Sequence, residues 1–171
     1  MSGPPVSFPS TQRRADAPAP GVDAPLIEVF GLLLEAHARL VSRLDQQLIE
    51  RSGMSLQSFE VLIRLARTPG ESLAAGELAR AAALSSGGAT RLIDRLEAAG
   101  LVTRGADARD RRVVRVGLTA EGRDALLAAL PVHLEGLERH LAGPLAPDEL
   151  TALENAVRSV RDGFDPAVAD G

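Results

Sequence analysis

SSGGATRLIDRLEAAGLVTRGADARDRRVVRVGLT, residues 85–119, is the stretch on which the fold turns. Ala89, Leu92, Ile93, Leu96 and Ala99 recur at the spacing that puts them on one side of a helix. Thr90, Arg91, Asp94 and Arg95 fall on or beside the other side, the one expected to touch a partner. Gly100 stands where a helix C-terminus favours a residue that tolerates the left-handed conformation. The β-branched residues Val102, Thr103, Val113, Val114 and Val116 then flank a loop too polar to be buried. The pattern predicts an amphipathic helix followed by a two-stranded ribbon with a basic tip, the plan of a winged helix-turn-helix.

Working outward, Ala75 to Ala82 reads as a short helix presenting Leu78 and Ala79, and Ala83-Leu84 as the turn into a helix capped by Ser85. Ser55 is the expected N-cap of an earlier helix carrying Phe59, Leu62, Ile63 and Leu65, stopped by Pro69-Gly70. Before it, Leu26, Phe30, Leu33, His37, Leu40/Val41, Leu44 and Leu48 form a long helical stripe ended by Ser52-Gly53. Downstream, Thr119 is placed to cap a helix with the stripe Leu126/Leu127, Leu130, Leu134, Leu137 and Leu141, which Pro131 should bend near Leu127. Pro147 opens a last helix with Leu150, Leu153, Val157, Val160 and Phe164 on one face, before Pro166.

These residues resemble the MarR (multiple antibiotic resistance regulator) family of bacterial transcription factors. The resemblance is carried by Leu78-Ala79, Leu84-Ser85, TRLIDRLEAAGLVTR at 90–104, and Asp110-Arg111-Arg112 followed by Leu118-Thr119 and Glu121-Gly122. It covers roughly residues 26–164. It implies a mainly α fold with a small β-wing, whose terminal helices form a dimerisation bundle. The corresponding division is a disordered tail over 1–24, a single MarR-like domain over 25–165 and a C-terminal tail over 166–171. Within the domain, 54–119 is the DNA-binding part, and 25–52 with 120–165 are the dimerisation helices. The long apolar stripes support a two-fold homodimer on their own account, with an intramolecular bundle as the alternative.

Composition narrows the function. The 171 residues are 45% hydrophobic and 25% charged, enough for a core of one domain. Aromatics are 2%, so that core is built from Leu, Ala and Val. The absence of cysteine excludes disulfides, thiolate metal sites and the cysteine-based oxidant sensing found in one branch of the resembled family. The net charge is -4, yet between Arg80 and Arg115 eight arginines face four acids. Basic charge confined to one stretch suits nucleic acid, with pairing to surface acids as the bland alternative. No signal-peptide core and no long apolar run are present, which implies a soluble, cytoplasmic protein.

A recognition helix reads base edges in the major groove through exposed residues near its N-terminus. The candidates are Ser85, Ser86, Gly87, Gly88, Thr90, Arg91 and Arg95. Gly87-Gly88 departs from the family pattern, and each glycine weakens a helix by about 1 kcal/mol relative to alanine. For Arg91 and Arg95 the competing reading is salt bridging to Asp94 or Glu97. Arg109, Asp110, Arg111 and Arg112 form the wing, with Asp110 and Arg112 carried over from the family motif. A guanidinium is planar, always charged and weakly hydrated, so it suits an A·T-rich minor groove. Asp110 is expected to orient an arginine through a forked carboxylate pair.

His37, with Arg39 and Arg43, is the candidate lining of an effector pocket, where the resembled family binds anionic or phenolic molecules. A buried structural histidine is the alternative. His133 and His140 are about 10 Å apart along a helix, too far to chelate one metal. No nucleophile with a base, no metal motif and no phosphate-cradling loop is present, so neither catalytic residues nor cofactors are expected. The combined reading is an effector-responsive repressor, binding a pseudo-palindromic duplex as a homodimer with recognition helices about 34 Å apart. Its rivals are a winged-helix module that binds an acidic protein, and a small enzyme using the inter-helix cavity.

Overall fold

The computed structural model describes residues 21, 24–81, 86–107 and 110–164. The tail readings for 1–24 (apart from Gly21 and Ala24) and 166–171, the Ala83-Leu84 turn, Ser85 and Arg109 lie outside the described residues. Helix α1 (Pro25–Ser52) opens on a proline, whose fixed φ suits a first helical turn. The chain divides into two units at residues 36 and 37, inside this helix. In the part before His37, Leu26, Ile27, Val29, Phe30, Leu32, Leu33 and Leu34 are all more than half exposed.

From His37 onward, α1 buries Leu44 and Leu48. Helix α2 (Leu56–Arg67) begins as expected: the Ser55 hydroxyl accepts from the Ser58 N–H at 3.2 Å. Asp45 of α1 adds a second acceptor, its Oδ1 lying 2.8 Å from the Leu56 N–H. Two of the donors that a helix N-terminus leaves open are thereby satisfied. Strand β1 (Ser72–Ala74), α3 (Ala75–Ala81) and α4 (Ser86–Ala98) follow. Then come β2 (Val102–Ala106), β3 (Val114–Leu118), α5 (Ala120–Leu137) and α6 (Pro147–Asp162). The fold is mainly helical with a small antiparallel sheet, and no described helix is long and apolar enough to cross a membrane.

The sheet has three strands in the order β1-β3-β2, where the sequence predicted a two-stranded ribbon. Ser72-Leu73-Ala74 carries no β-branched residue and becomes a strand by pairing with β3, Leu73 opposite Val116. Phe59, Leu62, Leu65, Leu78, Leu92, Val102 and Val116 are fully buried and tie α2, α3, α4 and the sheet into one core. Ala89, Leu92, Ile93 and Leu96 of α4 are buried as expected, whereas Ala99 lies beyond the helix end and is exposed. Gly100 follows with φ of 73°.

Thr119 joins α4's exit to α5. Its Oγ1 accepts from the Gly122 N–H at 2.9 Å and donates to the Gly100 carbonyl at 2.8 Å, and its own N–H donates to the Leu101 carbonyl at 3.2 Å. Helix α5 runs through Pro131, which sits on its exposed side. Its buried face follows the expected leucine stripe only in part, with Leu126 in the core and Leu130 and Leu137 packed against it. Gly122, Leu126, Ala129, His133 and Gly136 are buried, while Leu127 and Leu134 are about half exposed. The small residues let α5 approach its neighbours closely: a Cβ on Gly136 would lie 2.7 Å from Leu44 Cδ2. Past α5, one wide turn bonds the Gly143 N–H to the Glu138 carbonyl at 2.7 Å.

Candidate nucleic-acid interface

Because α4 buries one side, its opposite side faces outward: Thr90, Arg91, Asp94 and Arg95 are exposed. Gly87 is exposed and Gly88 half-buried, and of Ser86 the backbone alone is described. Asp94 and Glu97, the acids that competed for Arg91 and Arg95, are held instead by Arg104 of β2. Its Nη1 lies 2.6 Å from Asp94 Oδ1 and 3.3 Å from Glu97 Oε2, and its Nη2 donates to the Thr90 carbonyl at 3.3 Å. Arg104 therefore fastens the strand to the helix. The cue for it in the sequence is the pair of acids three residues apart on one helix face, a short turn before a strand arginine.

The wing closes on itself. The Asp107 N–H donates to the Val113 carbonyl and the Val113 N–H to the Asp110 carbonyl, both at 2.9 Å. Asp110 was expected to fork an arginine side chain. Its Oδ1 accepts from the Arg112 backbone N–H at 2.9 Å, in the short-range turn that aspartate forms readily. Arg111 and Arg112 occupy the exposed turn itself. Among the described residues, the side chains of Arg91, Arg95, Arg111 and Arg112 make no hydrogen bond or ion pair. Four guanidinium groups, two on the helix and two on the wing, are thus presented without an ion pair among the described residues.

The effector candidates are less closely gathered. His37 is exposed rather than buried, while Arg39 and Arg43 border a shallow cleft with Ala38 and Ser42. A second cleft is lined by Val41, Asp45, Leu56, Gln57 and Arg95, linking α1 and α2 to the helix that carries the exposed arginines. The buried histidine is His133, 9% exposed, its ring 4.3 Å from that of Phe59 and its Nδ1 without a partner. Burial lowers its pKa from the ordinary 6.5, opposed by the charge of Glu60. The folded chain holds this proton less tightly than the unfolded chain, so His133 leaves stability unaffected above 6.5 and reduces it as the pH falls towards the lowered value. We expect urea midpoints to fall between about pH 7.5 and about pH 5.5, and the fall to be smaller in His133→Phe. A pH dependence identical in both chains would show that His133 does not contribute to it.

Residues 52–113 match a model of the MarR family. No curated protein matches the chain. Among solved structures, it is similar to Sco3205 of Streptomyces coelicolor, a MarR family transcriptional regulator crystallised in complex with DNA. That match has 29% identity, covers 84% of this chain and 91% of that one, and has a TM-score of 0.74. AbsC, a MarR family transcriptional regulator of the same organism, is 27% identical over 80% of this chain and 91% of its own, with a TM-score of 0.72. BpsR of Bordetella bronchiseptica, whose DNA binding is regulated by 6-hydroxynicotinic acid, is 28% identical over 78% and 98%, with a TM-score of 0.69. The arginine-bearing helix and wing fall within or directly beside the matched segment, and the fold around them is shared over most of the chain: the protein has the winged helix-turn-helix fold of these structures and is similar to regulators of the MarR family.

Proposed function

We propose that the chain is an effector-responsive repressor that binds a pseudo-palindromic DNA duplex as a homodimer. The observation that carries this reading is the set of exposed guanidinium groups, Arg91 and Arg95 on α4 with Arg111 and Arg112 on the wing, which have no counter-charge among the described residues. Helix side chains read base edges in the major groove, and wing arginines reach phosphate or the adjacent minor groove. A protein surface would not require two separate arginine-bearing projections, one beside the other in sequence. Sco3205 in complex with DNA supports the same use of this fold.

The homodimer is supported by apolar faces that the single chain leaves open. Leu26, Val29, Phe30 and Leu33 of α1, and Leu153, Val157, Val160 and Phe164 at the other end, are each more than a third exposed. A second copy covering either set would remove it from water, each large side chain contributing up to roughly 1.5–3 kcal/mol in proportion to the area still exposed. For the effector, the cleft beside Arg95 offers a positive group within reach of α1 and the recognition helix. BpsR's response to 6-hydroxynicotinic acid supports an anionic aromatic class. Such a ligand acts by binding one dimer conformation more tightly than the other.

Selection of bound fragments from a random duplex pool tests the reading, followed by titration of the recovered sequence against salt. We expect an inverted repeat, and an affinity falling about 10³-fold or more between about 50 and 200 mM salt if six or more phosphates are neutralised. Binding to an acidic protein surface, with no enrichment of any duplex, would overturn it.

A further inference from the structure

The acid at the base of the wing and the arginine behind it are not among the exposed cations assigned to DNA, and their geometry gives them a separate task. Arg115 of β3 is half-buried, and three of its nitrogens are engaged. Nε donates to Ser72 Oγ at 3.1 Å, Nη2 to the Ser72 carbonyl at 2.6 Å, and Nη1 to Asp107 Oδ2 at 3.2 Å. The other oxygen of Asp107, Oδ1, accepts from the Asp110 N–H at 3.2 Å, and Asp110 in turn accepts from the Arg112 N–H. A continuous chain of contacts therefore runs from β1, through Arg115, Asp107 and Asp110, to the backbone of Arg112. Its anchor is the short strand that the sequence pattern did not disclose.

We propose that Asp107, held by Arg115, which Ser72 anchors in turn, is a positioning residue for DNA binding: it pre-orders the wing so that Arg111 and Arg112 meet the duplex without the loop first having to be fixed. This role rests on the DNA reading above. Ordering a loop during binding subtracts from affinity, and a loop already ordered avoids that loss. Simple electrostatics makes the contrary prediction. Asp107 is an acid beside a site for a polyanion, so its removal should strengthen binding if charge alone counted.

The experiment uses the full chain and a labelled duplex that the unsubstituted chain itself selects from a random pool. Asp107→Asn is expected to weaken binding about tenfold despite removing a negative charge. In a chain already carrying Arg111→Ala and Arg112→Ala, the same change should alter affinity by less than about twofold, because the groups it positions are gone. Binding that is unchanged or tighter in the first case, or an equal loss in both, overturns the role. If Asp107→Asn fails to fold, Ser72→Ala, which loosens Arg115 from behind, is read in the same two backgrounds with an expected loss of about threefold. Failure of the unsubstituted chain to select any duplex overturns the DNA reading itself, an outcome distinct from failure of the positioning role.

Discussion

Replacing Arg111 and Arg112 together by alanine is expected to weaken duplex binding by about 3 kcal/mol, a loss of roughly 150-fold. Both side chains project from the exposed turn between Asp110 and Val113, and neither is neutralised by a described neighbour. Each lost contact to phosphate also releases fewer counterions. The plot of log affinity against log salt should therefore become shallower by about 0.9 per contact removed. Arg158→Ala with Arg161→Ala supplies the comparison, since it removes the same two charges from α6, where Arg158 pairs with Glu154 at 2.6 Å and Arg161 with Asp162 at 2.7 Å. Its effect should stay within about 0.5 kcal/mol. Equal losses from the wing pair and from the α6 pair would mean that general charge drives binding, and would rule out a specific role for the wing.

Gly122→Ala is expected to be the most destabilising of the small substitutions, costing about 3 kcal/mol or more. A Cβ at this position would stand 2.0 Å from the Leu101 carbonyl oxygen and 2.9 Å from Leu118 Cδ1. The nearer obstacle is backbone and cannot rotate away. Its position is set by Thr119, which bonds to both Gly100 and Leu101 and caps the helix in which Gly122 sits. Moving α5 outward would break this junction and open the core around Leu126. Gly87→Ala should go the other way. An added Cβ there meets no atom within 4 Å, and alanine is the better helix former, so a gain of about 0.5 kcal/mol is expected. Urea unfolding of both variants checks the pair, and a Gly122→Ala chain as stable as the parent would contradict the close approach of α5 to the Gly100-Leu101 turn.

The two glycines also show where reading from sequence stops. Periodicity locates α4 and its buried face because Ala89, Leu92, Ile93 and Leu96 are large enough in sum to mark a side, and the alternating valines mark β2 and β3. The helix starts at Ser55 and Thr119 are local chemistry, an oxygen one turn from the N–H it accepts, and so they are legible in any context. On α5 the same method finds Leu126, Leu130 and Leu137, which pack on the core, but includes the half-exposed Leu127 and Leu134 and misses the small residues of the buried face. Gly122, Ala129 and Gly136 are buried because close approach needs small residues, a property of the neighbour as much as of the helix.

What the sequence determined by itself was the order of the helices and of the two wing strands, the basic stretch, and the residue types able to meet a duplex. All of these rest on interactions within a few residues or on charge simply counted along the chain. Within the basic stretch, tertiary structure decided which acid each paired arginine meets. Asp94 and Glu97 lie one turn from Arg91 and Arg95, yet Arg104 takes both, and Asp107 is claimed by an arginine eight residues on with a serine of β1 behind it. Ion pairs form between groups that the fold brings within about 4 Å, whatever their distance along the chain. The choice of which cations stay free for a partner therefore belongs to the sheet and its register.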